Sequence, residues 1–305
     1  MPVIQKIAHL TSAHARYDTR IFHKMCCSLS KNEKIEVHLI VADGKGYEVI
    51  KNVHIHDVGK SKGRLDRGIK MTRRVAKKAI ELNVDICHLH DPELLLISRK
   101  LKQKAIKVIF DAHEDLPLQI LNKPYLHPNV TKPLSKIVAL VEKYFCSKID
   151  AVIAATPFIR DKFKLINKNT IDVNNFPIIN EFHCDTNLDF TSREYICYVG
   201  GISKVRGIVE IVKSLSLTKC GIKLSLAGAF NEDVLEQEMK SDSGWSCVLD
   251  KGWCDRKEIK EVMDSSFAGL VTLHPIPNYQ DSLPVKMFEY MAAGIPVIYS
   301  NIKYW

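Results

Sequence analysis

The 305-residue chain lacks any run near the roughly 18 apolar residues a spanning helix needs, and polar positions break its first 25 residues throughout. It therefore reads as a cytoplasmic protein with neither a membrane span nor a signal peptide. Paired cysteines are missing too. The nine present stand at 26, 27, 87, 146, 184, 197, 220, 247 and 254, an odd set with no CxxC. That fits neither a disulfide framework nor a zinc site, and they read as reduced, mostly buried small hydrophobes. No HExxH, GxSxG, DxD or complete GxxxxGK[ST] loop occurs, so nothing requires a metal ion and no cofactor is expected. The GxGxxG fingerprint with its following acidic residue is absent, which sets a dinucleotide-dependent oxidoreductase aside. Without aromatic–basic interleaving or an RNA-module signature, no nucleic-acid partner is expected.

Positive charge is scarce only in one half. Residues 1–180 hold 31 Lys/Arg against 18 Asp/Glu, and residues 181–305 hold 13 against 17. Such asymmetry suggests two units, the first built to meet something anionic. Nine of the cations lie in "KSKGRLDRGIKMTRRVAKK" (60–78), where Ile69, Ala76, Ala79 and Ile80 form a weak apolar stripe. Two readings stay open: a basic amphipathic helix at an anionic lipid surface, or a solvated helix face covering a sheet.

Short apolar runs alternate with helical stretches from end to end. Strands are predicted at 3–10, 37–42, 54–58, 86–90, 107–113 and 151–156, and again at 195–201, 223–228, 247–253, 268–274 and 296–300. Helical periodicity fills the gaps, which is the βαβ pattern of parallel sheets covered on both faces. The polar stretch "VNNFPIINEFHCDTNLDFTSRE" (173–194) interrupts the pattern. The α/β chain is thus expected to form two Rossmann-like doubly wound domains, 1–175 and 195–305, joined by a linker at 176–194, with a site in the cleft between them.

Ligands of such sheets gather where strands end and helices begin. "YVGGISKVRGI" offers Gly200, Gly201, Lys204 and Arg206 ahead of a helix opening at Gly207, a pattern suited to phosphate. "DSLPVKMFEYM" sets Leu283 and Pro284 at a helix start, with Asp281 and Glu289 about two turns apart, able to accept from sugar hydroxyls. His113, at the end of "KVIFDAH", is aimed at the same cleft, with Asp111, Glu114 and Asp115 near enough to orient it. The loop "LTSAHARYDTRIF" brings His14, Arg16 and Asp18, of which Asp18 either caps the next helix or touches a hydroxylated acceptor.

Together "DTRIFHKMCCSLSKN", "CHLHDPELL", "VIFDAHEDLP", "VNNFP", "YVGGISKVRGI" and "SLPVKMFEYMAAGIPVI" resemble glycosyltransferase family 4, retaining enzymes of the GT-B fold, and within it the bacterial surface-polysaccharide enzymes. The resemblance implies metal-independent transfer of a sugar from a nucleotide-diphosphate sugar to a hydroxyl of a glycan or lipid-linked acceptor. In the family pattern Asp281 touches the donor sugar and Glu289 the ribose, and the backbone from Ser282 to Pro284 meets the diphosphate. Arg206, with Lys204 or Lys286, neutralises the leaving phosphate, and His113 faces the sugar. Asp281 stands where the family has Glu, and Gly201 where Arg is common. His14, Arg16 and Asp18 fall on the acceptor side, and base recognition is expected mainly from backbone around Lys251 to Cys254. Family chains continue past "PVIYSN", so the second domain is expected to be incomplete. Rival readings are a nucleotide-sugar epimerase or phosphorylase of the same fold class and a non-catalytic, truncated nucleotide-sugar or polyanion binder. Peripheral contact with an anionic membrane at the inner face fits the basic first half.

Overall fold

A computed structural model describes residues 4–121, 127–182, 193–218 and 221–305. The chain divides into two compact units, 1–175 and 176–305. In the first, eight strands form one sheet: β1 (Gln5–Leu10), β2 (Ile35–Val41), β3 (Glu48–Ile50), β4 (Val53–Asp57), β5 (Ile86–Leu89), β6 (Lys107–Ala112), β7 (Ala151–Ala154) and β8 (Thr170–Asp172). Their order is β3-β4-β2-β1-β5-β6-β7-β8. All pairs are parallel except β3 with β4. The central strands carry near-continuous apolar runs because both faces are covered, and Ala8, Leu10, Leu39, Ile40, Leu89 and Val108 are fully or almost fully buried. The edge strands β3 and β8 are three residues each and too short to show as a pattern.

Helices α1 (Thr72–Glu81), α2 (Leu116–Leu121), α3 (Pro128–Cys146) and α4 (Pro157–Lys164) belong to this unit, as does a wide π-type segment at Thr19–Cys26. Thr156 caps α4, with Pro157 at its first position. The basic stretch covers the sheet through Met71, Thr72, Val75, Ala76 and Ala79. Ile69, expected in that stripe, lies outside it and is exposed.

The second unit is a five-stranded parallel sheet of β9 (Tyr195–Val199), β10 (Lys223–Ala227), β11 (Val248–Gly252), β12 (Ser266–Val271) and β13 (Val297–Tyr299), ordered β11-β10-β9-β12-β13. Its labelled helices are α5 (Ile208–Leu217), α6 (Asp233–Ser241), α7 (Arg256–Asp264) and α8 (Val285–Ala292). Residues 176–182, expected as linker, pack into this unit: Ile179–Phe182 is a short helix and Phe182 is fully buried. Of the rest of that expected linker, 183–192 lie outside the described residues, as do Cys184 and Cys220, and Arg193 donates to the Ser266 carbonyl of this unit at 3.0 Å. Cys26, Cys87, Cys146 and Cys197 are free and buried, and Cys27, Cys247 and Cys254 are free and half-buried.

Candidate active site

The end of β9 leads into a turn whose glycines have steric reasons. At Gly207 (φ +79°) a Cβ would stand 2.3 Å from the Thr272 carbonyl oxygen, so only glycine lets the chain enter α5 there. At Gly201 a Cβ would come 3.0 Å from Arg206 Nη1. The guanidinium has folded back onto this residue, donating to the Gly201 carbonyl at 3.0 Å, while the Tyr198 hydroxyl donates to the same oxygen at 2.9 Å. Lys204 lies on the neighbouring 3₁₀ turn (Lys204–Arg206) and is exposed.

Lys286 joins this group from the first turn of α8. A Cβ on Gly200 would lie 3.8 Å from its Nζ, and the ammonium sits 3.6 Å from the centre of the Tyr198 ring. Nζ is buried and has no hydrogen-bond partner. Burial, helped by the nearby positive charge of Arg206, pushes its pKa down to about 7. Asp281, Ser282, Leu283 and Pro284 form the half-exposed turn between the short helix Pro277–Gln280 and α8. The Ser282 hydroxyl is tied to the Tyr279 carbonyl at 3.0 Å, and the Trp305 indole donates to the Ser282 carbonyl at 2.8 Å. In the first turn of α8 the Met287 N–H donates to the Pro284 carbonyl at 3.0 Å, and the N–H groups of Val285 and Lys286, which have no partner inside the helix, are available to an anion.

Glu289, one turn beyond Lys286, is buried and accepts from Arg256 Nη1 at 2.8 Å. Arg256 grips both oxygens of Glu181 at 2.7 Å and covers the Phe182 ring. Burial opposes the charge of Arg256, but the bonds to Glu181 and Glu289 raise its pKa. Arg256 and Glu181 escaped sequence reasoning. Arg256 reads as an ordinary first-turn residue after the capping box of Asp255 and Glu258, and Glu181 falls in the stretch taken for linker.

In the first unit His113 follows the end of β6, and its Nε2 lies 2.9 Å from Asp111 Oδ2. Asp111 is fully buried and also takes a two-pronged bond from Arg20 (3.0 and 2.7 Å) and one from His90 Nδ1 at 3.2 Å. Burial alone would neutralise it, but His113, His90 and Arg20 hold its carboxyl well below the usual range. An ionised carboxylate only accepts, so His113 carries a proton on Nε2. By the same logic His90 donates from Nδ1 to Asp111 and accepts at Nε2 from His9 Nδ1, 2.9 Å away. Burial pushes His90 and His88 down to about 3, so both are neutral. His9, His88 and His90, or His90, Asp111 and His113, bring donor atoms within 4.8 Å of one another. An ion in either group would displace bonds of this chain.

His14 reaches toward the same place, its ring 5.3 Å from that of His113. Burial works against its protonation, but a 2.8 Å bond to Asp91 raises its pKa. Asp91, missed in the sequence although it ends the "HLHD" strand, also accepts from Ser12 N (2.6 Å) and the Thr11 hydroxyl (2.9 Å), fixing the loop after β1. His14, Asp91 and His113 line a pocket of about 620 Å³ whose other walls include Leu95, Leu96, Val138 and Val141. Arg16 is turned away into Asp43 and Glu48. Asp18 accepts from Arg20 N and Ile21 N at 2.9 Å, which is the capping role.

Comparison with known proteins bears on the fold and the family. Solved structures with the same fold include sucrose-phosphate synthase from Thermosynechococcus elongatus (TM-score 0.73, 15% identity, 98% of this chain and 82% of that one). HepE of Anabaena, in complex with UDP and glucose, matches with TM-score 0.69 at 14% identity (98% and 82%). WaaG, a glycosyltransferase involved in lipopolysaccharide biosynthesis, matches with TM-score 0.69 at 12% identity (97% and 81%). A search of curated protein sequences finds no match. The profile described as Glycosyl transferases group 1 matches residues 182–304. The profile described as Glycosyltransferase Family 4 matches residues 19–173, about half the chain, and two parallel-sheet units of the GT-B type accompany it. The chain therefore belongs to glycosyltransferase family 4.

Proposed function

We propose that this glycosyltransferase moves a hexosyl group from a nucleotide-diphosphate sugar to a hydroxyl of a glycan or lipid-linked acceptor, with retention and without a metal, in the cytoplasmic assembly of a surface polysaccharide. The observation that carries the reading is Lys286 Nζ: a buried ammonium without a hydrogen-bond partner, beside Gly200, Arg206 and the start of α8. An uncompensated buried cation is costly, and a diphosphate supplies the missing charge and acceptors. UDP in the HepE structure and the involvement of WaaG in lipopolysaccharide biosynthesis support the donor class and the pathway type.

Each residue then has a task. Arg206, Lys286 and the N–H groups of Leu283 and Val285 hold the diphosphate. Glu289, steadied by Arg256, accepts from the ribose hydroxyls. Asp281 and His113 position the sugar, and His14 stands on the acceptor side. As the anomeric C–O bond breaks, negative charge grows on the leaving phosphate, and prearranged cations and N–H dipoles stabilise it. The acceptor oxygen forms the new bond on the same face, and its proton passes to an oxygen of the departing phosphate. Arg16 and Asp18 support the loop that carries His14.

A screen of nucleotide sugars by thermal shift, followed by product analysis with the best donor, tests this. The expected result is stabilisation by one nucleoside diphosphate and its sugar, lost in Lys286→Met. Free-sugar interconversion without an acceptor product would favour an epimerase, and binding without any turnover would leave a non-catalytic binder.

A further inference from the structure

Helix α3 is assembled inside out. Along most of its length the positions it turns inward are polar, Thr131, Ser135 and Glu142 being buried, and Cys146 and Phe145 reach the apolar core at its C-terminal end. The Ser135 hydroxyl bonds the Pro117 carbonyl at 2.8 Å, and Glu142 is held by Lys162 at 2.6 Å. The positions it turns outward are apolar. At 100° per residue Val130, Leu134, Ile137, Leu140, Val141 and Tyr144 fall on one arc, and all are exposed, Leu140 at 68% and Ile137 at 57%. An amphipathic helix normally buries its apolar face, and a patch of this extent marks an interaction site.

Two further observations identify the partner. Lys132, Lys136 and Lys143 run beside the apolar arc, and Glu142, the sole acidic residue of α3, is buried and paired, so the exposed face carries positive charge only. The apolar face also continues into the pocket of His14 and His113, because Val138 and Val141 line it together with Leu96, itself 55% exposed. The basic helix α1 differs: it spends Val75, Ala76 and Ala79 on the core, as the turn before it does Met71, and keeps little apolar surface for a partner.

We propose that the outward face of α3 and the pocket rim dock on an anionic lipid bilayer, and that the acceptor reaches the pocket on an apolar chain anchored in that bilayer. This rests on the transferase reading and specifies its acceptor. Apolar side chains enter the headgroup boundary while the flanking lysines meet anionic headgroups. A second copy of the chain is disfavoured, because a two-fold contact through this face would bring the same lysines together.

Co-sedimentation with vesicles of phosphatidylcholine alone, and of phosphatidylcholine with a third phosphatidylglycerol, tests the docking. Expected is binding to the anionic vesicles at least tenfold tighter than to the neutral ones, and at least tenfold weaker for Ile137→Ser/Leu140→Ser, whose exposed sites leave the melting temperature unchanged. Wild-type protein staying in solution, or a double variant that binds as well as wild type, would overturn the proposal. So would a dimer in light scattering that the double substitution dissolves, since it would assign the face to a second copy. For the acceptor, decyl phosphate below its micelle threshold should raise the melting temperature, and Leu96→Glu should remove that shift. An equal shift from inorganic phosphate would overturn the anchored acceptor. Stabilisation by nucleoside diphosphates is measured on the same samples. Its absence would remove the transferase reading while leaving the vesicle result intact.

Discussion

In the first unit the buried carboxylate Asp111 is met by Arg20, His90 and His113, whereas in the second the buried ammonium of Lys286 meets the face of Tyr198 and no hydrogen-bond acceptor. Both are ionisable groups removed from water beside candidate substrate contacts. Around Asp111 the buried charge is answered, which holds His113 in one orientation. The second leaves one charge uncompensated, as a site does when the ligand brings the counter-charge. Buried polar groups cost most when half satisfied. The contrast therefore separates a positioning network from a receiving one.

The largest effect should come from breaking the bonds around Asp111. Asp111→Asn leaves Arg20 buried without its carboxylate, and a loss of about 3–5 kcal/mol in unfolding free energy is expected in urea titrations. Arg20→Met combined with Asp111→Asn should cost less than the sum of the two single changes, because they share one interaction.

Lys286→Met should do the opposite to stability. Removing a buried, unpaired cation should raise the melting temperature, while turnover falls about 10²–10³-fold, as when one prearranged transition-state donor is lost. If activity survives, Lys286 is merely buried and the comparison fails.

pH sharpens the same point. With its pKa near 7 in the folded chain, against the ordinary 10.5, Lys286 binds fewer protons folded than unfolded between those values. Its contribution therefore makes stability rise with pH through the window from about 7 to about 10.5, and Lys286→Met should lose that slope. A diphosphate restores the proton, so calorimetry at pH 8 in buffers of different ionisation heats should show uptake approaching one proton per donor bound. The smallest effect is expected at Asp18, whose replacement by Ala should cost about 1 kcal/mol as a lost helix cap and leave the donor KM unchanged.

Much of the fold was legible because parallel strands buried on both faces must be apolar runs. The six first-half and five second-half runs each became a strand, and among the described residues only the three-residue β3 and β8 went unread. Within the sites, strand-end residues such as His113 and Gly200 could be found because ligands gather there. Asp91, Arg256 and Glu181 could not, since their roles depend on partners 79, 33 and 75 residues away. Asp18 was legible as a helix cap because its partners lie two and three residues on, but a short-range motif does not disclose that the Arg16 guanidinium is taken by Asp43 and Glu48.

Local sequence, then, determined the alternation of strands and helices, the glycine-bearing turn after β9 and the family. Tertiary structure alone decided which charges are satisfied: it closed the bonds around Asp111, folded Arg206 back over Gly201, left Lys286 without a partner and turned the apolar side of α3 outward. The physical reason is that helix and strand periodicity act over a few residues, whereas burial and pairing of a charge depend on groups that only the folded chain brings within 3 Å.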